Sequence, residues 1–136
     1  YIPDDYVESD YEKLELYQRL DKAKTMSELN SLKAEFDDYY GNLPEAILTL
    51  IEKRKLEILS HYSIIEDIKD SGKQLEIIFS PNAFETISGD KLFLLANRLF
   101  TKPAFKSLDN KITIKINKHD QWLNRLNEFI ETLSKQ

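Results

Sequence analysis

An acidic stripe on a predicted helix is the most distinctive set of polar side chains in this sequence. Glu28, Ser31, Glu35 and Asp38 recur three or four residues apart, the spacing that places side chains on one face of an α-helix. No lysine shares this face, and no basic residue stands four positions after Glu35 or Asp38. Carboxylates in such an array can accept charge-assisted hydrogen bonds from arginine side chains of a partner.

Two interpretations of this stripe remain open. Glu35 and Asp38, together with Asp37, crowd the predicted C-terminal end of the helix, where the helix dipole disfavours each exposed negative charge by about 0.3–1 kcal/mol. A solubilising face would simply tolerate that cost. A docking surface would offset it through charge-assisted pairs with a partner, and Glu28, Glu35 and Asp38 are then the candidate docking residues.

Residues for catalysis, cofactor binding or metal binding are not indicated. The two histidines, His61 and His119, stand far apart and lack an HxxxH or HExxH partner. The sequence has no GxxxxGK[ST] phosphate loop, no GxGxxG and no GxSxG. The acid pairs Asp4-Asp5 and Glu66-Asp67 are most simply solvated carboxylates. We therefore predict no catalytic, cofactor-binding or metal-binding residue, and a small enzyme is the least supported function.

A group of lysines near the C-terminal end supports an alternative function in nucleic-acid binding. The group comprises Lys102, Lys106, Lys111, Lys115 and Lys118. Phosphate-backbone binding needs dense positive charge, whereas the whole chain has a formal net charge of −5. A solvated face is the simpler interpretation, and a nucleic-acid-binding accessory module using lysines 102–118 remains the alternative.

Composition indicates a single globular domain. The chain has 136 residues, of which 41% are apolar and 32% charged, with no cysteine and no low-complexity segment. No apolar run approaches the roughly 20 residues that cross a bilayer, which favours a cytoplasmic protein without membrane contact. The sequence opens with Tyr1 rather than methionine, and we interpret residues 1–136 as one domain of a longer protein.

Three amphipathic helices are predicted first. Two segments of capping-box form, Ser9-Asp10-Tyr11-Glu12 and Thr25-Met26-Ser27-Glu28, precede apolar residues at helical spacing. Gly41 is typical of the residue that follows a helix, and Pro44 suits the first turn of another. These signals predict an antiparallel cluster of helices at about residues 10–24, 27–40 and 44–61.

The remaining residues alternate as strands and are interrupted by two helices. Residues 64–68 and 75–79 flank the hairpin signal Asp70-Ser71-Gly72-Lys73, and residues 112–116 alternate after a turn at 108–111. Helical spacing predicts two more helices at about residues 89–100 and 119–134. The predicted fold class is α+β: an N-terminal three-helix cluster followed by a small, largely antiparallel sheet with two further helices.

Several short segments, taken together, resemble the C-terminal domain of bacterial transcription-repair coupling factors. They are Ile2-Pro3-Asp4-Asp5-Tyr6, Leu16-Tyr17-Gln18-Arg19-Leu20, Ala23-Lys24-Thr25, Glu28-Leu29 and Glu35-x-x-Asp38-x-x-Gly41-x-Leu43-Pro44. The resemblance is strongest over residues 2–65 and extends more loosely to the final helix. This chain has Tyr39-Tyr40 where the family usually has a basic residue followed by phenylalanine.

The resemblance implies a parent protein that is an ATP-driven DNA translocase, with ATP and magnesium bound by a motor outside this chain. Such a parent removes RNA polymerase stalled at a lesion and recruits the excision-repair protein UvrA. In the family, the C-terminal domain packs against the UvrB-homology module of the same chain, masks the surface that UvrA needs and restrains the motor. The acids of the family's E-x-x-D sequence take part in that contact, and they match Glu35 and Asp38 here.

Overall fold

The computed structural model describes residues 10–62 and 64–135, and these form two compact units. The first unit ends at Ile58 and the second begins at Leu59, the last residue of the third helix. Ser9 of the first capping box and the acid pair Asp4-Asp5 lie outside the described residues. That residues 1–136 act as one regulatory domain of a longer protein stays a prediction.

The first unit contains the three predicted helices. Helix α1 spans Asp10–Lys22, α2 spans Met26–Tyr40 and α3 spans Glu45–Leu59. The helices are amphipathic, and the apolar side of each meets in one core because that arrangement removes apolar surface from water. The core residues are Leu16, Leu20, Ala23, Leu29, Leu32, Phe36, Ile47 and Ile51.

The ends of α2 explain why this helix occupies the bounds that the sequence predicts. The Thr25 hydroxyl accepts a hydrogen bond from the Glu28 backbone N–H at 3.1 Å, and the Glu28 carboxylate accepts one from the Lys24 backbone N–H at 3.3 Å. At the other end, Gly41 has φ +82° and ψ −148°, a conformation that glycine adopts without steric strain, and its N–H donates to the Asp37 carbonyl.

The second unit is a four-stranded antiparallel sheet with two helices and one short 3-10 helix. Strand β1 spans Ile65–Asp70, β2 Gln74–Phe79, β3 Ala104–Leu108 and β4 Lys111–Asn117, in the spatial order β1-β2-β4-β3. Helix α4 spans Gly89–Leu99 and α5 spans Trp122–Ser134, while the 3-10 helix spans Ala83–Glu85. This architecture confirms the predicted α+β class. The strand order comes from the structure, because the sequence pattern does not predict which strands are neighbours.

One face of the sheet packs on the helices. Successive side chains of a strand point to opposite faces, and the register places Ile77 beside Ile114 on the same face. Both residues are fully buried, as are Phe79 of β2 and Phe129 of α5, whose ring centroids lie 6.5 Å apart. The core of the second unit therefore lies between this sheet face and the helices.

Two local features differ from the sequence-based expectation. The final helix begins at Trp122 instead of residue 119, because Gln121 has a left-handed φ of +65° and His119 belongs to the preceding turn. The His119 carbonyl accepts a hydrogen bond from the Trp122 N–H at 3.1 Å. The 3-10 helix Ala83–Glu85 was not predicted, since three residues are too few to show helical spacing.

The β3–β4 connection is a two-residue turn at Asp109 and Asn110, both with positive φ, which suits the right-handed twist of the strands.

Among residues 10–62 and 64–135, no helix is long and apolar enough to span a membrane.

Candidate functional site

The three predicted docking acids lie on α2 with exposed side chains. Glu35 and Asp38 are one helical turn apart, near the C-terminal end. Glu28 lies in the first turn and is engaged in capping the helix through its contact with the Lys24 backbone. The structure therefore brings Glu35 and Asp38 together and gives Glu28 a local structural role, about two turns from Glu35 and nearly three from Asp38.

Glu35 is paired with a cation from the neighbouring helix. The Arg19 guanidinium of α1 donates a hydrogen bond to the Glu35 carboxylate, and it lies 5.7 Å from the centroid of the Phe36 ring. The side chains of Arg19 and Glu35 are 37% and 57% exposed. An ion pair this exposed contributes about 0–1 kcal/mol to stability, so it constrains Glu35 weakly.

Asp38 differs from Glu35 in its surroundings. It is exposed, and no hydrogen bond or ion pair joins its carboxylate to a residue in the described part of the chain. Its carboxylate is therefore open to a cation from outside.

A cleft of about 310 Å³ lies where α1 and α2 face each other. Its lining combines three carboxylates, one guanidinium and several aromatic rings, and consists of Glu12, Glu15, Leu16, Arg19, Glu35, Phe36, Tyr39 and Tyr40. Since the acids outnumber the single cation in this lining, the cleft favours positive charge.

The pKa of the Tyr40 hydroxyl reflects this negative surrounding. Burial raises the pKa above its ordinary value, and the carboxylates of Glu12 and Glu15 raise it further, as does Tyr39. Arg19 acts in the opposite direction. The phenol therefore stays neutral in the physiological range and can act as a hydrogen-bond partner inside the cleft.

Sequence reasoning found the α2 half of this surface and missed the α1 half. Glu12, Glu15 and Arg19 recur at intervals of three and four residues, so the helical spacing that identified the α2 stripe was also present in α1. The sequence could not show that Glu35 of the α2 stripe lies with Glu12, Glu15 and Arg19 of α1 in the lining of one cleft. Chemically, the cleft and the adjacent Asp38 can bind guanidinium or ammonium groups through carboxylates and aromatic faces.

No group of three or more potential metal ligands occurs among the described residues.

The five lysines of the alternative function lie on β3, on β4 or within two residues of these strands, and two of them are paired with acids. Lys111 donates to Glu66 at 2.8 Å, while Lys118 donates to Asp70 at 2.8 Å and lies 4.5 Å from the centroid of the Trp122 ring. The other three, Lys102, Lys106 and Lys115, are exposed. The β3–β4 register places Lys106, Lys111 and Lys115 on one face of the sheet. The ion pairs with Glu66 and Asp70 offset the charge of two of the five lysines.

Comparison with known proteins points to one family. The TRCF domain model matches residues 1–89. Relatives from Staphylococcus epidermidis, Staphylococcus haemolyticus and Staphylococcus aureus, each named transcription-repair-coupling factor, are 29% identical to this chain over 133 residues. The alignment covers 98% of this chain and 11% of each relative, so the chain spans about a ninth of their length.

A solved structure shares the fold. The crystal structure of the C-terminal domain of a transcription-repair coupling factor superimposes with a TM-score of 0.74 at 18% sequence identity, covering 99% of this chain and 86% of that one. At this identity the similarity shows the fold alone. It agrees with the five helices and four antiparallel strands described above.

Proposed function

This chain belongs to the TRCF domain family, and on that premise we propose that it is a regulatory docking domain of a transcription-repair coupling factor. The domain packs on the UvrB-homology module of its own parent chain. While docked it masks the surface that UvrA binds, and it restrains the ATP-driven translocase that removes stalled RNA polymerase. Release then couples engagement of the polymerase to nucleotide-excision repair of the damaged DNA.

The observation that carries this proposal is the acidic surface formed by Glu35, Asp38 and the adjoining cleft. Asp38 is exposed without a cation from the described residues, and the cleft lining holds more carboxylates than cations. A surface of this kind is complementary to arginines on a partner, and electrostatic complementarity determines specificity and association rate. The relatives' shared name supports a role in repair coupled to transcription.

A regulatory contact must also be releasable, and the Arg19–Glu35 pair suits that requirement. Because this ion pair is exposed, exchanging Arg19 for an arginine of the partner changes the free energy little. Glu35 therefore keeps a cation in both the free and the docked state. The contact is polar at its centre, as expected of an interface that opens and closes.

The test is a calorimetric titration of this chain into the separately expressed UvrB-homology module, at low and at moderate salt. We expect binding that weakens as salt increases, because exposed charges are screened. A Glu35→Lys/Asp38→Lys variant should lose at least about tenfold in affinity, since close charge pairs at interfaces couple by about 1.5 kcal/mol or more. Circular dichroism checks that the variant keeps its helices, and a Glu35→Gln/Asp38→Asn variant provides a milder second test.

A matched control is available in the same unit. The variant Asp21→Lys/Asp37→Lys changes the net charge by the same amount at two other exposed acids, one on α1 and one on α2. Docking should persist in this control. If both double variants lose binding equally, overall charge and not this surface controls docking. If the wild-type chain does not bind even at low salt, the proposed contact is wrong.

A further inference from the structure

A second surface, in the unit that begins at Leu59, shares no residue with the acidic cleft. Strand β3 is at one end of the four-stranded sheet and pairs with β4 alone in the described structure. All five of its residues are exposed. An exposed edge strand presents unpaired backbone N–H and C=O groups that can pair with another strand.

An apolar groove runs beside this edge. It has a volume of about 280 Å³ and is lined by Phe84, Gly89, Leu92, Phe93, Phe105, Lys106, Ser107 and Ile112. The ring centroids of Phe93 on α4 and Phe105 on β3 lie 5.1 Å apart. Phe93 is 53% exposed and Phe105 is 36% exposed. Large apolar side chains that stay exposed together beside a free strand edge are typical of an interaction surface.

The charge at the groove limits what can bind there. Lys106 is the one ionisable residue among those that line the groove, and the exposed Lys102 precedes β3. An incoming strand with carboxylates is therefore favoured over a basic one. Self-association of two copies through β3 is disfavoured, because Lys106 is the middle residue of Ala104–Leu108 and symmetric antiparallel pairing would place it opposite itself.

We propose that the β3 edge and the adjacent groove bind an extended segment of a partner protein that carries acidic residues around one bulky apolar residue. The segment adds a fifth strand to the sheet through backbone hydrogen bonds with β3. Its apolar side chain enters the groove between Phe84, Phe93 and Phe105, and its acids lie near Lys106. Backbone pairing provides affinity in this mode of recognition, and the side-chain pocket provides specificity.

The probe is a fluorescent, N-acetylated nine-residue peptide in which glutamate and valine alternate around a central phenylalanine. Fluorescence anisotropy against the 136-residue chain should show saturable binding with Kd below about 1 mM. Phe93→Ala should weaken binding about tenfold, since aromatic anchors dominate such contacts. Leu94→Ala is the matched control, because Leu94 is the next residue of α4, is 67% exposed and does not line the groove.

Charge and backbone pairing are tested separately. Lys106→Glu should weaken binding severalfold, whereas Lys115→Glu, an exposed lysine of β4 outside the groove lining, should not. A second peptide has the same side chains, but every other backbone amide is N-methylated. It lacks half of its backbone N–H donors and should not bind. Retained binding by the methylated peptide overturns the strand-addition mode.

Three other results would overturn the proposal. They are absence of peptide binding to the wild-type chain, equal effects of Phe93→Ala and Leu94→Ala, and a dimer in sedimentation equilibrium that excludes the peptide. The Glu35→Lys/Asp38→Lys variant, whose changes lie in the other unit, should bind the peptide like the wild type. Failure of this inference is therefore distinguishable from failure of the docking function.

Discussion

Glu35 and Asp38 have the same charge and lie one turn apart, yet they differ in how each meets a partner. Arg19 already contacts Glu35, whereas Asp38 faces solvent. In the proposed docked state, an arginine of the partner therefore competes with Arg19 for Glu35 and meets no competitor from the described residues at Asp38. This difference leads to a prediction that is independent of charge reversal.

Arg19→Gln should tighten docking on the UvrB-homology module. Removing the Arg19 guanidinium leaves the Glu35 carboxylate open and makes the cleft more negative. Because the Arg19–Glu35 ion pair contributes about 0–1 kcal/mol, its loss corresponds to at most about a fivefold gain in docking affinity. Calorimetric titration measures the change. Lys22→Gln, an exposed basic residue in the last turn of the same helix, removes the same charge and should have a smaller effect. Weaker docking of Arg19→Gln would mean that Arg19 itself contacts the partner.

We expect Asp70 to contribute to the pH dependence of stability in the second unit. The hydrogen bond from Lys118 and the backbone N–H of Gly72 lower the pKa of Asp70 below its ordinary value of 3.8. A carboxyl group with a lowered pKa in the folded state stabilises the fold above its unfolded-state pKa, and this stabilisation is lost as pH falls through the folded-state pKa. Asp70→Asn should therefore lower the free energy of unfolding at pH 6 and weaken its decline below pH 4.

Urea unfolding between pH 2 and pH 6 measures this effect, with fluorescence of Trp122, the only tryptophan, as the signal. Lys118→Gln removes the main cause of the pKa shift and should reproduce the loss. Lys118 also lies over the Trp122 ring, so its removal should shift the emission of the folded protein. The double variant should lose less at pH 6 than the sum of the two single losses, because both substitutions remove the same Asp70–Lys118 contact, and fully additive losses would contradict the pairing.

At the scale of secondary-structure elements, two glycines test how helix ends are specified. Gly41 after α2 has φ +82° and ψ −148°, and a Cβ there would meet nothing within 4 Å. Gly41→Ala should therefore destabilise the first unit through backbone strain alone, by about 1–3 kcal/mol. Denaturation followed by circular dichroism measures the loss.

Gly89 provides the contrast. It is the first residue of α4 and carries no positive φ, and a Cβ there would lie 3.7 Å from a ring carbon of Phe84, an ordinary contact. Gly89→Ala should stabilise the protein by about 0.4–1 kcal/mol, because it reduces the conformational entropy of the unfolded chain. Equal destabilisation by the two substitutions would contradict the assignment of strain to Gly41.

Elements whose ends carry specific local signals were predictable from the sequence. The capping box and Gly41 predict the two ends of α2 to within one residue of the observed bounds. The β3–β4 turn lies at Asp109 and Asn110, as the sequence predicts. The start of α5 was not predictable, since a left-handed Gln121 leaves no sequence signal. The strand order, and the approach of Arg19 to Glu35, depend on packing between distant segments, which local spacing does not encode.

At the scale of the whole chain, charge is unevenly distributed. Residues 1–70 hold 9 Lys/Arg and 17 Asp/Glu, a net charge of −8, whereas residues 71–136 hold 10 and 7, a net charge of +3. The acidic surface that is proposed for docking lies in the first part, and the lysines of the alternative function lie in the second. The excess of lysine in the second part is small, and ion pairs with Glu66 and Asp70 reduce its effect.

We therefore expect this chain to bind duplex DNA weakly if at all. Non-specific binding is driven mainly by lysines and arginines that neutralise phosphates and release counterions. A chain with a net charge of −5 repels the polyanion as a whole. Anisotropy with a fluorescent 20-base-pair duplex at 150 mM salt should give Kd no tighter than about 100 μM, the weak end of non-specific binding. Lys106→Glu/Lys115→Glu should then change little. Micromolar binding with a steep salt dependence that this variant removes would instead support the nucleic-acid-binding alternative, because neutral or acidic contacts cannot produce such a slope.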